Sequence, residues 1–197
     1  MSVSVSIPSS SPRHIPPGMV TAVRIGVWSA AVVAIGYSLV LIPNVEGVTF
    51  CIAMAGAVLG WRAGVAVGII GEGLFSMFNP WGPPGPLLLL AQMLGMAAAG
   101  GVAGIIAAAL SGKGLLTRFW WCVFGVLFSL WFDLLTTLTM PLLAGMEGIS
   151  LAVIFAAQLP FSAVKVLCNL LLFGVAFVPM RERLLAVLST SALRGAR

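Results

Sequence analysis

Three ionisable side chains, Glu72, Asp133 and Lys165, fall deep inside otherwise apolar segments of the chain. A carboxylate or ammonium in hydrocarbon surroundings is unfavourable unless it pairs, accepts hydrogen bonds or serves a polar guest, so such residues mark functional positions by default. The amides Gln92, Gln158 and Asn169 accompany them. Together these groups supply donors, acceptors and both signs of charge, which is what recognition of a small polar molecule needs.

They do not supply a catalytic set. The only histidine, His14, lies in the Ser/Pro-rich leader "MSVSVSIPSSSPRHIPPG", away from the three charged groups. No Walker, GxSxG or HExxH sequence and no glycine-rich phosphate turn is present. Cys51, Cys122 and Cys168 lack metal-like spacing and read as free thiols in apolar surroundings. The expectation is a binding protein, not an enzyme, with no cofactor and no metal.

Spacing strengthens this reading. Gln158, Ser162, Lys165 and Asn169 recur at i, i+4, i+7 and i+11, one stripe of a helix. Ser129, Asp133, Thr136 and Met140 repeat the pattern, as do Gly68, Glu72, Ser76 and Asn79. At 1.5 Å per residue, Glu72 lies roughly 9 Å and Asp133 roughly 12 Å below the outer surface, and Lys165 roughly 20 Å above the inner end of its helix. Gln92 and Gln158 fall in the same outer zone, so the stripes converge on one partly wet cavity. The alternative is an Asp133–Lys165 pair that only neutralises itself, with Glu72 protonated and hydrogen-bonded.

The elements that must hold these groups are membrane helices. The chain has 197 residues, 60% hydrophobic and 8% charged, with a mean hydropathy of +1.14, whereas soluble domains are roughly a quarter charged. Breakers divide it into six apolar segments: about 19–42, 48–61, 63–78, 86–110, 116–143 and 149–178, the last closed by Pro179 and "RER". Segments two and three are short, so they lean on neighbours in a thin membrane or form one bent hairpin. Residues 1–18 read as a disordered cytoplasmic tail with no secretory signal, 19–185 as the transmembrane domain and 186–197 as a basic cytoplasmic tail.

The basic residues fix the orientation. Arg13 and Arg24 precede or begin the first segment, and Arg62 lies between the second and third. Lys113 and Arg118 lie between the fourth and fifth, and Arg181, Arg183, Arg194 and Arg197 follow the sixth. All share one side if the helices alternate, which puts both termini in the cytoplasm and explains the net charge of +5 without nucleic acid. The opposite connections, "IPNVEG" with Asn44 and Glu46, "FNPWGPPGP" and "AGMEG", carry no basic residue. The second is rigid, uncharged and aromatic, and its Trp81 is placed to cap a ligand. Gly26, Ala30 and Ala34, four apart on the first helix, form a small-residue face that permits close helix approach, and Gly100 and Gly104 do the same on the fourth.

These features together resemble the S components, the substrate-binding membrane subunits of energy-coupling factor (ECF) transporters. The resemblance is carried by "IPNVEGVTF", "AGAVLGWRAGVAVGIIG", "FNPWGPPGPLLLLAQMLGM", "FDLLTTL" and "LPFSAVKVLCNLLLF", in that order over about residues 19–185. It implies a six-helix bundle that captures a vitamin or similar micronutrient in an outward-facing pocket. The residues it would use are Asn44, Glu46, Glu72, Asn79, Trp81, Gln92, Asp133, Gln158, Lys165 and Asn169, beneath a gate formed by "FNPWGPPGP". It further implies that the face of Gly26, Ala30 and Ala34 docks on a transmembrane coupling subunit, which two cytoplasmic ATPases drive, in a bacterial or archaeal plasma membrane. Lys165 suggests an anionic group on the ligand unless Asp133 already neutralises it. A competing reading is a self-contained proton-coupled transporter or channel with Asp133 or Glu72 as the proton site.

Overall fold

The computed structural model describes residues 16–42, 45, 47–144 and 150–195. Among them every regular element is helical: α1 (Pro17–Leu39), α2 (Val48–Leu59), α3 (Trp61–Met77), α4 (Pro86–Ile106), α5 (Leu115–Ala144), α6 (Leu151–Leu171), a π-helical segment (Leu172–Phe177) and α7 (Val178–Gly195). Among the described residues, four stretches are long and apolar enough to cross a membrane: Gly18–Leu39, Pro86–Ile106, Leu115–Thr139 and Leu151–Thr190.

Local chemistry sets the ends. Pro17 and Pro86 occupy the first helical position of α1 and α4, where a missing N–H costs nothing and the fixed φ is already helical. Ser150 caps α6, its hydroxyl oxygen accepting from the Ala152 N–H at 3.2 Å. α2 and α3 are separated by Gly60 alone, at φ +93°, a conformation open to glycine and strained for other residues. The break therefore falls one residue before Trp61. Arg62 lies in the first turn of α3 and not in the connection, as its charge had suggested.

α2 is the core of the bundle. Every residue from Val48 to Ala57 is buried, so this 12-residue helix, about 18 Å long, need not span lipid at all. Its packing against α3 and α4 is made by missing side chains. A Cβ on Gly68 would come within 2.5 Å of the Met96 carbonyl oxygen, and one on Gly56 or Gly64 would collide with the Gly100 carbonyl. Backbone-to-backbone contact of this kind is how helices associate where no hydrophobic driving force separates them from lipid. Below it, Phe50, Trp121, Phe124, Phe173 and Phe177 form an aromatic core, with Phe173 and Phe177 stacked at 4.8 Å and Trp121 4.2 Å from Phe177. Trp121 is fully buried and donates to the Leu110 carbonyl at 3.4 Å, whereas Trp120 remains exposed.

The sixth segment does not end at Pro179. The helix continues through the π-helical turn to Gly195, so the part of the expected basic tail up to 195 is helical. Proline interrupts a helix because its ring crowds the carbonyl four residues back and it lacks an N–H. The wider π turn that precedes Pro179 shifts the hydrogen-bond pattern there, and the rod passes through. Two residues later Arg181 reaches across and donates to the carbonyls of Ala107 (2.8 Å), Leu110 (3.3 Å) and Ala57 (3.4 Å). One guanidinium thus satisfies terminal carbonyls of α4 and α2 together. Lys113 and Glu182 pair at the same end, 3.3 Å apart.

Candidate functional site

At the end of the bundle opposite Arg181 lies the loop 78–85. Asn79 makes its turn: its side-chain oxygen accepts from the Trp81 N–H at 3.0 Å and its carbonyl from the Gly82 N–H at 2.9 Å, with Gly82 at φ +100°. The turn presents Trp81 with 77% of its surface exposed. Its indole N–H reaches the Val40 carbonyl at 3.5 Å, and the Tyr37 hydroxyl donates to the Phe78 carbonyl at 2.5 Å. The loop is therefore tied to the end of α1 by two hydrogen bonds, one at its start and one at its turn. Tyr37 is the sole tyrosine of the chain, near the C-terminal end of α1, which was the available signal for a tether that sequence reasoning missed.

Beneath the loop, α5 and α6 bring their polar stripes face to face. Lys165 Nζ donates to Asp133 Oδ1 at 2.6 Å, with both side chains over nine-tenths buried (8% and 7% exposed). The ammonium also sits 4.6 Å from the centre of the Phe132 ring, a cation–π contact that spacing alone had not indicated. One turn further in, Asn169 donates to Ser129 Oγ at 2.8 Å, and Ser129 donates to the Gly125 carbonyl at 2.8 Å. On α3, Ser76 donates to Glu72 Oε1 at 3.0 Å, and both are buried. Asp133 Oδ2 and Gln92 Oε1 are buried and have no hydrogen-bond partner among the described residues. Buried acceptors normally find a donor, so these two are open to a donor that the described residues do not provide.

Three hollows carry the expected residues. One of about 230 Å³ lies under Trp81 between the ends of α1 and α3, lined by Gly36, Val40, Phe75, Asn79, Trp81 and Lys165 among others. A second of about 290 Å³, on the other side of the loop, is lined by Ser76, Asn79, Trp81 and Gln92 with Gly82, Pro84 and Leu88. Asn79 and Trp81 border both, so one turn roofs the two. The third, of about 480 Å³, opens between α5 and α6 and takes Asp133, Gln158 and Ser162 with Leu130, Leu134, Thr137, Phe155 and Leu159. Lys165 and Asp133 thus face different hollows, and their ion pair forms the partition between them.

Seven of the ten expected binding residues fall at or beside these spaces: Asn79, Trp81, Gln92, Asp133, Gln158 and Lys165 as lining, and Glu72 through Ser76. Asn169 is fully buried against Ser129, where it orients α5 on α6. Asn44 and Glu46 lie outside the described residues. The three side chains of the expected docking face, Gly26, Ala30 and Ala34, are all exposed, and nothing lies within 4 Å of a Cβ placed on Gly26. Their face of α1 is thus not used for packing within the described bundle, which α1 meets through Ser29, Val32 and Gly36 instead. Comparison with protein-family models, with curated proteins and with solved structures finds no match for this chain.

Proposed function

We propose that the chain is the substrate-binding subunit of an ECF-type importer, which captures a vitamin or similar micronutrient from outside and delivers it inward when coupled to partner subunits. In this reading six helices, with α2 and α3 as the short pair, lie in a bacterial or archaeal plasma membrane with both termini in the cytoplasm. The supporting observation is the buried Lys165–Asp133 pair at the wall of a cavity roofed by Asn79 and Trp81. An ammonium has three donors, and one is given to Asp133. The rest of the group borders a space of about 230 Å³ walled by Val40 and Phe75. A ligand with an acceptor such as a carboxylate or carbonyl, presented to Lys165 and covered by the indole, fits that chemistry. With Asp133 balancing Lys165, a full negative charge on the ligand is not required.

The loop supplies the gate. Its restraints are the Asn79 turn, the prolines at 80, 83 and 84, and the two hydrogen bonds to α1, so opening would carry it as a stiff flap. The exposed face of Gly26, Ala30 and Ala34 is suited to a transmembrane coupling subunit, since small side chains allow close approach in lipid. Two cytoplasmic ATPases acting through that subunit would power release.

The test is native mass spectrometry of the full-length protein from mild detergent, which reads the mass of a retained small molecule and of co-purifying subunits. Ala30→Trp is expected to leave the retained molecule unchanged and to remove the coupling subunit and ATP-dependent uptake. Retention of the subunit with loss of the small molecule would overturn the role given to that face. Uptake by the chain alone in liposomes, driven by a pH gradient and indifferent to ATP, would replace this reading with the proton-coupled transporter.

A further inference from the structure

We infer that the hollow between α5 and α6 is a second, lateral binding site, for an uncharged, bilayer-soluble molecule that carries a hydroxyl or amide N–H. Its volume of about 480 Å³ falls in the range typical of small-molecule sites, roughly 300–1,000 Å³. Its walls are mainly apolar, with Asp133, Thr137, Gln158 and Ser162 as the polar members, and Leu130, Leu134 and Leu159 are also exposed on the outer face of the bundle. The mouth therefore opens on the same apolar surface that faces lipid, which selects guests that arrive through the bilayer.

Two acceptors select what such a guest must carry. Asp133 lines the hollow, and its Oδ2 is buried with no donor among the described residues. Pro160 lies inside α6 and has no N–H for the carbonyl four residues back, that of Ala156, which lines the same hollow. A carboxylate oxygen with no donor among the described residues, beside a carbonyl that has lost its regular helical donor, calls for a donor. The charge of that donor follows from the pair already present. Asp133 is neutralised by Lys165 at 2.6 Å, so a cationic guest would bring an uncompensated charge into a buried site, a penalty well above the return from one hydrogen bond. A neutral hydroxyl or amide brings none. This site is independent of the capture cavity under Trp81, from which the ion pair separates it, and does not rest on the transport reading.

The experiment is photolabelling of the full-length protein in nanodiscs with a diazirine-bearing long-chain primary alcohol, with the labelled residues mapped by peptide mass spectrometry. Labelling is expected on α5 and α6 around Leu130, Leu134 and Leu159. Unlabelled alcohol should compete at least tenfold better than the alkane or the alkylammonium of equal length. Ala156→Phe, which fills the hollow without touching the ion pair, should abolish the labelling. Pro160→Ala, which returns an N–H to the Ala156 carbonyl, should weaken competition by the alcohol several-fold. Equal competition by alkane would mean a generic lipid groove, and preference for the alkylammonium would mean a cation site; either overturns the assignment. So would labelling that survives Ala156→Phe.

Discussion

The Lys165–Asp133 pair decides more than any other contact, because each partner is tolerable only while the other is present. Removing one side of a buried ion pair leaves an uncompensated charge and typically destabilises by about 3–5 kcal/mol, while replacing both with apolar residues of similar size is close to neutral. Lys165→Met and Asp133→Leu are therefore each expected to lower unfolding free energy by about 3–5 kcal/mol in SDS titration, and the double variant by clearly less than either. Ligand capture separates structure from function here. The double variant should fold yet bind the retained small molecule at least tenfold more weakly, about 1.4 kcal/mol. Full affinity in that variant would mean that the pair is only a structural weld between α5 and α6.

At the scale of elements, glycine has two opposite roles in this chain. Gly68 is occupied space: a Cβ there meets the Met96 carbonyl at 2.5 Å, so Gly68→Ala should push α3 from α4 and cost about 1–3 kcal/mol. Gly26 is open space, with nothing within 4 Å, so Gly26→Ala should be neutral or stabilising by up to about 1 kcal/mol through helix propensity. Equal effects in the same titration would mean that the α2–α3–α4 contact is looser than described. The sequence reading put Gly26 in a small-residue ladder and Gly68 in the stripe of Glu72, Ser76 and Asn79, and neither placement says whether a neighbour fills the space beside it. What separates them is which face of the helix finds a neighbour, and periodicity cannot report that. The inward direction of the polar stripes was legible, since Asp133 and Lys165 are unfavourable towards lipid, but the expectation was one shared cavity, and their pairing across the interface was only the alternative to it. The end of the sixth segment was not legible, since Pro179 ordinarily stops a helix and only the π turn before it lets this one continue. The core role of α2 was hidden too. Its uniformly apolar sequence suits lipid and protein interior equally well.

For the whole molecule, the two ends are chemically distinct. Arg181, Lys113 and Glu182 gather at one, while Trp81, Tyr37 and the proline loop occupy the other. If the basic end is cytoplasmic, Gly82→Cys in a background with Cys51, Cys122 and Cys168 replaced by alanine should react with an impermeant maleimide on intact cells. Lys113→Cys in the same background should react only after permeabilisation. The reverse pattern would invert the topology and place the Trp81 cavity on the cytoplasmic side. The chemical difference between a basic end and an end without basic residues was readable from charge placement alone. The partition of the hollow end into several spaces was not, because it depends on how far one side chain reaches across an interface.

The π turn at Leu172–Phe177 lets a single rod answer to two neighbours that demand different angular settings. Above it the rod must aim Lys165 and Asn169 at α5; below it the rod must aim Arg181 at the ends of α2 and α4. Each residue advances an α-helix by about 100°, so excising one residue within this turn would swing the guanidinium by roughly that angle and strand it away from all three carbonyls. The surplus residue works as a phase corrector: it keeps the half that carries Lys165 and the half that carries Arg181 in step with separate parts of the bundle.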